Sequence, residues 1–254
     1  MREHHKANNI RIGCAGWSIS KQHAALFQPA NSQLARYAQR FNAVEINSSF
    51  YRPHLPATYA RWAATTPDDF SFAVKMPKAI THTHRLAGAT EPLERFLAEI
   101  GLLGAKLGPL LVQLPPSLAF DARVAGAFFT LLRERFTGTV ACEPRHSSWF
   151  SAEAEAMLIA ARVARVAADP AVVPPAATPG GWHALAYYRL HGSPEMYTSA
   201  YSEAYLDALA QQVSLLAAPV WCIFDNTALG AATTNAIELM ARLEEADQLA
   251  IGLP

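Results

Sequence analysis

The sequence predicts an α/β fold of the (β/α)8 TIM-barrel type with its sixth helix replaced by a Pro-rich loop. Two observations carry this. Short apolar runs of strand length alternate with helical segments, which demands a parallel sheet with helical crossovers. Eight such runs in 254 residues match the roughly 250 residues typical of that barrel. An open doubly wound sheet is the competing architecture and would bind its ligand at one switch point.

In chain order the predicted strands are Ile10–Trp17, Ala43–Phe50, Phe70–Pro77, Pro109–Pro115, Thr139–Arg145, Val163–Asp169, Ala184–Gly192 and Val220–Asn226. Each is rich in Val, Ile, Phe or Leu and is bounded by turn residues. The predicted helices are Ser32–Phe41, Pro56–Thr66, Pro92–Leu107, Asp121–Phe136, Ser151–Ala161, Ser202–Ala217 and Ala231–Glu245. Asp121, Ser151 and Ser202 are placed to cap free N–H groups of a first turn. Residues 170–183, PAVVPPAATPGGWH, hold four prolines and two glycines and read as a loop where a sixth helix belongs. Residues 1–9 read as a disordered polar tail, with His4 and His5 solvated, and 10–254 as a single domain.

Composition narrows the function classes. Lys plus Arg and Asp plus Glu are 21 each, so no basic surplus marks a general nucleic-acid surface; a local patch stays open. No apolar run reaches the ~18 residues of a membrane helix, and MREHHKANNI lacks a signal peptide's apolar segment. The expectation is a cytoplasmic protein with no membrane partner and an oligomeric state left open. Cys14, Cys142 and Cys222 sit far apart inside apolar runs, which reads as small buried hydrophobes rather than a disulfide or zinc framework.

The strand ends carry the chemistry. Alternate residues of a barrel strand point inward, and barrel sites form at C-terminal strand ends. There the sequence places Glu45 with Asn47, Lys75, Gln113, Glu143 with Arg145, Asp169, Arg189 with His191, and Asp225 with Asn226. Any one of these could be an ion pair that only closes the barrel top. Buried charge costs several kcal/mol per ion unless paired, so seven polar strand ends argue for a shared bowl. Strand one brings Gly13, Cys14, Ala15 and Gly16, which either leave room for a ligand or let backbones pack closely.

These residues also resemble the YecE-like family, catalogued as a domain of unknown function. The resemblance rests on GCAGW (13–17), VEINSSFYR (44–52), FSFAVKMPKAITH (70–82), LGPLLVQLPPSL (107–118), EPRHSSW (143–149), YYRLHG (187–192), YTSAYS (197–202), FDNT (224–227) and NAIEL (235–239). It implies a TIM-barrel-like fold with a polar pocket at the strand C-termini, and no reaction. Positions matching the family motifs are Glu45, Asn47, Lys75, His82, Gln113, Glu143, Arg145, Arg189 and His191. The chain departs from the pattern at Cys14–Ala15, at Ser18–Ser20 and at Asp225, where the family more often has asparagine.

Other motifs have bland alternatives. His82 and His84 would share a face if ITHTHR were extended, but a loop histidine near the pocket is the plainer reading, and no metal or cofactor is predicted. Gly192 and Ser193 suit a phosphate nest, and a carboxylate would fit as well. Trp149 and Tyr201 either stack on a ligand or simply pack. No GxSxG elbow or nucleotide motif is present. The resulting expectation is a metal-independent hydrolase, isomerase or lyase acting on a small anionic substrate. Glu45, Lys75, Glu143 and His191 would be catalytic; Asn47, His82, Gln113, Arg145, Trp149, Asp169, Arg189, Tyr201, Asp225 and Asn226 would bind substrate. The alternative is a non-catalytic module that binds a metabolite or nucleic acid in the same bowl.

Overall fold

A computed structural model describes residues 9–251; the expectations for the tail, except at Asn9, lie outside them. The strands are β1 (Ile10–Cys14), β2 (Ala43–Ile46), β3 (Ser71–Lys75), β4 (Leu107–Gln113), β5 (Val140–Glu143), β6 (Val163–Arg165), β7 (Ala167–Asp169), β8 (Gly180–Gly181), β9 (Ala186–Leu190) and β10 (Val220–Phe224). The helices are α1 (Gln33–Ala38), α2 (Pro56–Thr65), α3 (Thr90–Ile100), α4 (Ala122–Arg135), α5 (Ala152–Ala160), α6 (Glu203–Ser214) and α7 (Ala231–Ile251). The caps fall where the sequence puts them. Asp121 accepts from the N–H groups of Arg123 and Val124, Ser151 from Ala154, and Ser202 from Tyr205.

The fold is mixed α/β with two largely parallel sheets, ordered β1-β10-β9-β7 and β2-β3-β4-β5-β6-β8. No helix of the described residues is long and apolar enough to cross a membrane. One apolar cluster fills the space between strands and helices. A second, smaller one joins Ala43, Ala73, Leu111, Ala141, Tyr187 and Trp221. Its members come from both sheets, so one face of each sheet looks into a common interior.

The sheets meet at two seams. Between β1 and β2 the backbone ladder shrinks to one bridge, Ala15 to Glu45, with Gly16 N–H donating to the Glu45 carbonyl at 2.9 Å. Side chains replace the rest. Asn42 Oδ1 accepts from Ile12 N–H at 2.9 Å, and Tyr37 OH accepts from Cys14 N–H at 2.7 Å while donating to Ala43 O at 3.0 Å. A Cβ on Gly13 would stand 2.0 Å from Ala43 O, so of the two readings for the small residues of strand one, close backbone packing holds at Gly13.

The second seam corrects the sequence reading. The single strand expected over Val163–Asp169 is two short strands: β6 pairs with β5, β7 pairs with β9, and Val166 stands between them. The Pro-rich segment contains no α-helix, as expected, but it is not featureless. It holds a 3-10 turn at Pro174–Ala177, and β8 pairs antiparallel to β6. Arg165 pins it by donating to Pro175 O at 2.7 Å, and Glu155 accepts from Gly181 N–H at 2.6 Å. A Cβ at Gly180 would collide with the Arg165 guanidinium at 2.2 Å.

Candidate functional site

Period-two alternation brings a charged set to one place. Ala43, Ala73, Ala141 and Tyr187 face the interior, so two residues further along Glu45, Lys75, Glu143 and Arg189 follow the same face. Ile223 is interior as well, which sends Asp225 inward beyond the end of β10.

Arg189 is the hub. It is fully buried and grips three carboxylates at once. Nε and Nη2 donate to the two Glu45 oxygens at 3.1 and 2.8 Å, Nη1 to Glu143 Oε2 at 2.7 Å, and Nη2 also to Asp225 Oδ2 at 2.9 Å. The planar fork of a guanidinium can meet several acceptors in fixed geometry where an ammonium cannot. Tyr187 OH donates to Glu45 Oε2 at 2.9 Å, so both oxygens of Glu45 are occupied.

His191 forms the next layer. Nδ1 lies 3.0 Å from Asp225 Oδ2 and Nε2 3.0 Å from Glu143 Oε1. Both neighbours are acceptors, an arrangement that fits the doubly protonated ring. Burial opposes that charge, but Glu143 and the two hydrogen bonds outweigh it and raise the His191 pKa. Burial likewise opposes the charge on Glu143 and Asp225. Arg189 and His191 more than offset it, with Arg145 also acting on Glu143, and both carboxyls titrate below their ordinary values.

Arg145 reaches over this layer. Its Nε lies 3.1 Å from Glu143 Oε1, Nη1 donates to Tyr197 OH at 3.2 Å, and Nη2 stands 3.4 Å from His191 Nε2. Lys75 differs from the other cations. Its residue is buried, yet none of the carboxylates comes within ion-pair distance of it among the described residues. Its Nζ sits 4.3 Å from the centre of the Phe50 ring. Burial, with Arg189 adding to it, lowers the Lys75 pKa to about 8 against the pull of Glu45, Glu143 and Asp225.

The family described as "Protein of unknown function DUF72" matches residues 11–253. The chain belongs to the DUF72 family. It is 33% identical to the UPF0759 protein YecE of Escherichia coli over 106 residues, 42% of this chain and 38% of YecE. It is 28% identical to the UPF0759 protein YunF of Bacillus subtilis over 153 residues, 56% of this chain and 52% of YunF. The match thus spans about half or less of each relative's length. A DUF72 family protein from Thermotoga maritima superposes with a TM-score of 0.77 at 25% identity, covering 92% of this chain and 99% of that one. A xylose isomerase-like TIM barrel/4-hydroxyphenylpyruvate dioxygenase fusion protein superposes at 0.51 and 14% identity, over 96% of this chain and 44% of the fusion, a likeness of fold alone.

Around the Arg189 hub, this DUF72 chain keeps some predicted residues near and sends others away. Gln113 is buried beside Glu143 in register, and its Nε2 donates to Leu114 O at 2.7 Å. Asn47 Oδ1 is buried and has no hydrogen-bond partner. The His82 ring packs edge-on against Phe50 at 4.9 Å. Burial, then Lys75, Lys78 and Arg145, lower the His82 pKa, which puts it at the rim of the cationic group. Its segment, Ala79–Thr83, is one helical turn, so the shared face that extended geometry would give His82 and His84 does not arise.

Four other predicted binding residues are engaged by protein partners of their own. Asp169 is in register with Leu190 on the helix side, and its carboxylate accepts from Tyr201 OH at 2.9 Å. Tyr201 is thereby fixed, and its hydroxyl also accepts from Gly192 N–H at 2.9 Å, which removes that N–H from any phosphate nest. Trp149 is buried, packs edge-on against Phe120 and donates to Leu118 O at 2.9 Å, which fits the packing reading. Asn226 is buried, with Nδ2 donating to Ser199 O and Asn235 Oδ1 at 2.9 and 3.1 Å. Alternation puts Tyr187 on the face of Arg189 and His191, but sequence alone assigns it no role, and its bond to Glu45 is visible only in the structure. Phe50 and Tyr197 are readable only as loop aromatics that either stack on a ligand or pack; their contacts with Lys75 and Arg145 carry no sequence signal. The three cysteines are buried, and burial raises each thiol pKa, that of Cys14 to about 12.

Proposed function

We propose that the two sheets form a closed (β/α)8-type barrel and that its C-terminal mouth is an acid–base site for a small anionic substrate. Support for closure comes from the interior cluster drawn from both sheets, the Ala15–Glu45 bridge, and the likeness to a TIM-barrel fusion protein. One observation carries the functional reading: Arg189 binds all three carboxylates. What remains to face a ligand is cationic, namely Arg145, protonated His191 and Lys75.

The catalytic roles shift accordingly. Glu45 has both oxygens engaged and becomes a positioning residue. Glu143 is held ionised by three cationic partners and acts by orienting Arg145 and His191. Proton transfer falls to His191, which carries a proton to give, and to Lys75, which has one to lose near neutral pH. Arg145 takes the anion through charge-assisted hydrogen bonds. Isomerase, lyase and hydrolase chemistry all use such a pair.

The test is thermal unfolding with inorganic phosphate, acetate or a neutral sugar. A ligand that binds only the folded chain raises the Tm by mass action. Phosphate or acetate should raise it in a concentration-dependent manner while the sugar leaves it unchanged. Arg145→Gln should weaken the anion effect about tenfold, as expected for the loss of a charge-assisted bond. No anion-dependent shift in the wild-type chain would reject the reading.

A further inference from the structure

Lys75 stands apart from every other charged group of the site. Glu45, Glu143, Asp225, Arg145, Arg189 and His191 are tied to one another by ion pairs. Lys75 shares their neighbourhood, since three of those carboxylates and Arg189 act on it through space. Yet its Nζ makes no ion pair among the described residues and lies over the face of Phe50. For binding an anion, a bidentate arginine such as Arg145 is the better tool. For building a salt bridge, the chain holds three carboxylates nearby and uses them on Arg189. A lysine that is desolvated, set beside a fixed guanidinium and left without a counterion has the features of an amine kept available for bond formation.

We propose that Lys75 is a nucleophile that forms an imine with the carbonyl carbon of a small 2-oxo acid whose carboxylate is held by Arg145. The proposal rests on the anionic-substrate reading above and names its substrate class. The pairing of the two groups follows from the strands: Lys75 is in register with Leu111 of β4, and Gln113, two residues on, is in register with Glu143, to which Arg145 bonds. The substrate this pairing proposes is compact, with carboxylate and carbonyl on adjacent carbons as in a 2-oxo acid. Just past the end of β2, at the turn that leads to Phe50, the buried Asn47 Oδ1 has no hydrogen-bond partner among the described residues and could accept from a substrate hydroxyl.

The step balances without a redox partner. The nitrogen lone pair of neutral Lys75 forms the C–N bond as the carbonyl π pair moves to oxygen. The nitrogen releases a proton and the oxygen takes one, giving a carbinolamine. The hydroxyl then leaves as water when protonated, a proton supplied in this proposal by His191, whose two ring nitrogens face the carboxylates of Asp225 and Glu143. The nitrogen lone pair closes the C=N bond as a protonated imine, and its remaining N–H proton returns to His191. Amine plus carbonyl gives imine plus water. With its pKa at about 8, Lys75 is neutral in roughly a tenth of molecules at pH 7, against fewer than one in a thousand for an ordinary lysine.

The test is reductive trapping of the full chain with pyruvate and cyanoborohydride, read by intact mass and peptide mapping, beside pyruvate-dependent thermal stabilisation. The expected result is one adduct, on the peptide carrying Lys75, with a rate that reaches half its maximum near pH 8. Arg145→Gln should slow labelling by pyruvate about tenfold and leave labelling by acetone, which has no carboxylate, nearly unchanged. Lys75→Arg should remove the adduct; mapping on the wild-type chain locates it even if that variant does not fold. Labelling spread over surface lysines, or stabilisation by pyruvate with no adduct at Lys75, overturns the imine and leaves the anion site standing. Neither adduct nor stabilisation overturns both, whereas an adduct without any anion effect keeps the imine and rejects the role of Arg145.

Discussion

Two aspartates, Asp169 at the end of β7 and Asp225 just past β10, the two strands that flank β9 in one sheet, meet opposite fates. Asp225 turns inward, where Arg189 and His191 each stand within 3.0 Å of its Oδ2. Asp169 turns to the helix side, accepts from Tyr201, and lines a cavity of about 300 Å³ with Tyr188 and Tyr205. Residue type and strand-end position are shared. The difference is one step of alternation: Ala168 is in register with Arg189, so Asp169 is in register with Leu190. A strand end can supply a site residue only on the face that points into the site.

The largest test of that contrast is removal of the hub. Arg189→Met leaves three buried carboxylates without their common cation and should cost at least 3–5 kcal/mol at neutral pH, read by urea unfolding. The loss should shrink in acid, where the carboxyls can be neutralised. The two aspartates can then be compared directly. Asp225→Asn should cost about 2–3 kcal/mol because it breaks charge-assisted bonds inside the cluster. Asp169→Asn keeps an acceptor for Tyr201 and should cost under about 1 kcal/mol. Equal losses would mean that the inward cluster is no more demanding than the helix-side contact.

The smallest effect is a dependence on pH. Glu143 and Asp225 titrate below their ordinary values in the folded chain. Their contribution is present above the unfolded pKa values and is lost as pH falls through the folded ones. The pKa of His191 is raised, so its contribution is complete below the unfolded value and fades as pH rises through the folded one. Unfolding free energy should therefore decline at both ends. His191→Gln should flatten the alkaline decline and leave the acid limb, and an unchanged alkaline limb in that variant would separate His191 from the titration.

Much of this arrangement was readable from the sequence. Strands, helices and three caps follow from periodicity and local chemistry, and the inward parity of Glu45, Lys75, Glu143 and Arg189 needs only counting from apolar neighbours. The partner choices were not readable, because they join positions 45, 143, 189 and 225 through packing that no local pattern encodes. Asp169 was misplaced because strand-end position was used without the alternation, which the sequence AAD after Val166 already contained. Trp149 and Tyr201 lie in turns beyond the strands, where side-chain direction depends on the loop's own path. Lys75 lacks an ion pair because its neighbours prefer Arg189, a competition visible only in three dimensions.

The run from Val163 to Asp169 belongs to both hydrogen-bonded ladders, with Val166 as the single residue between them. Inserting or deleting one residue there would reverse which side chains β7 turns inward while β6 stays anchored to β5. The chain should therefore tolerate length changes in the nearby Pro-rich segment far better than at this joint, and length variation among natural relatives should avoid it.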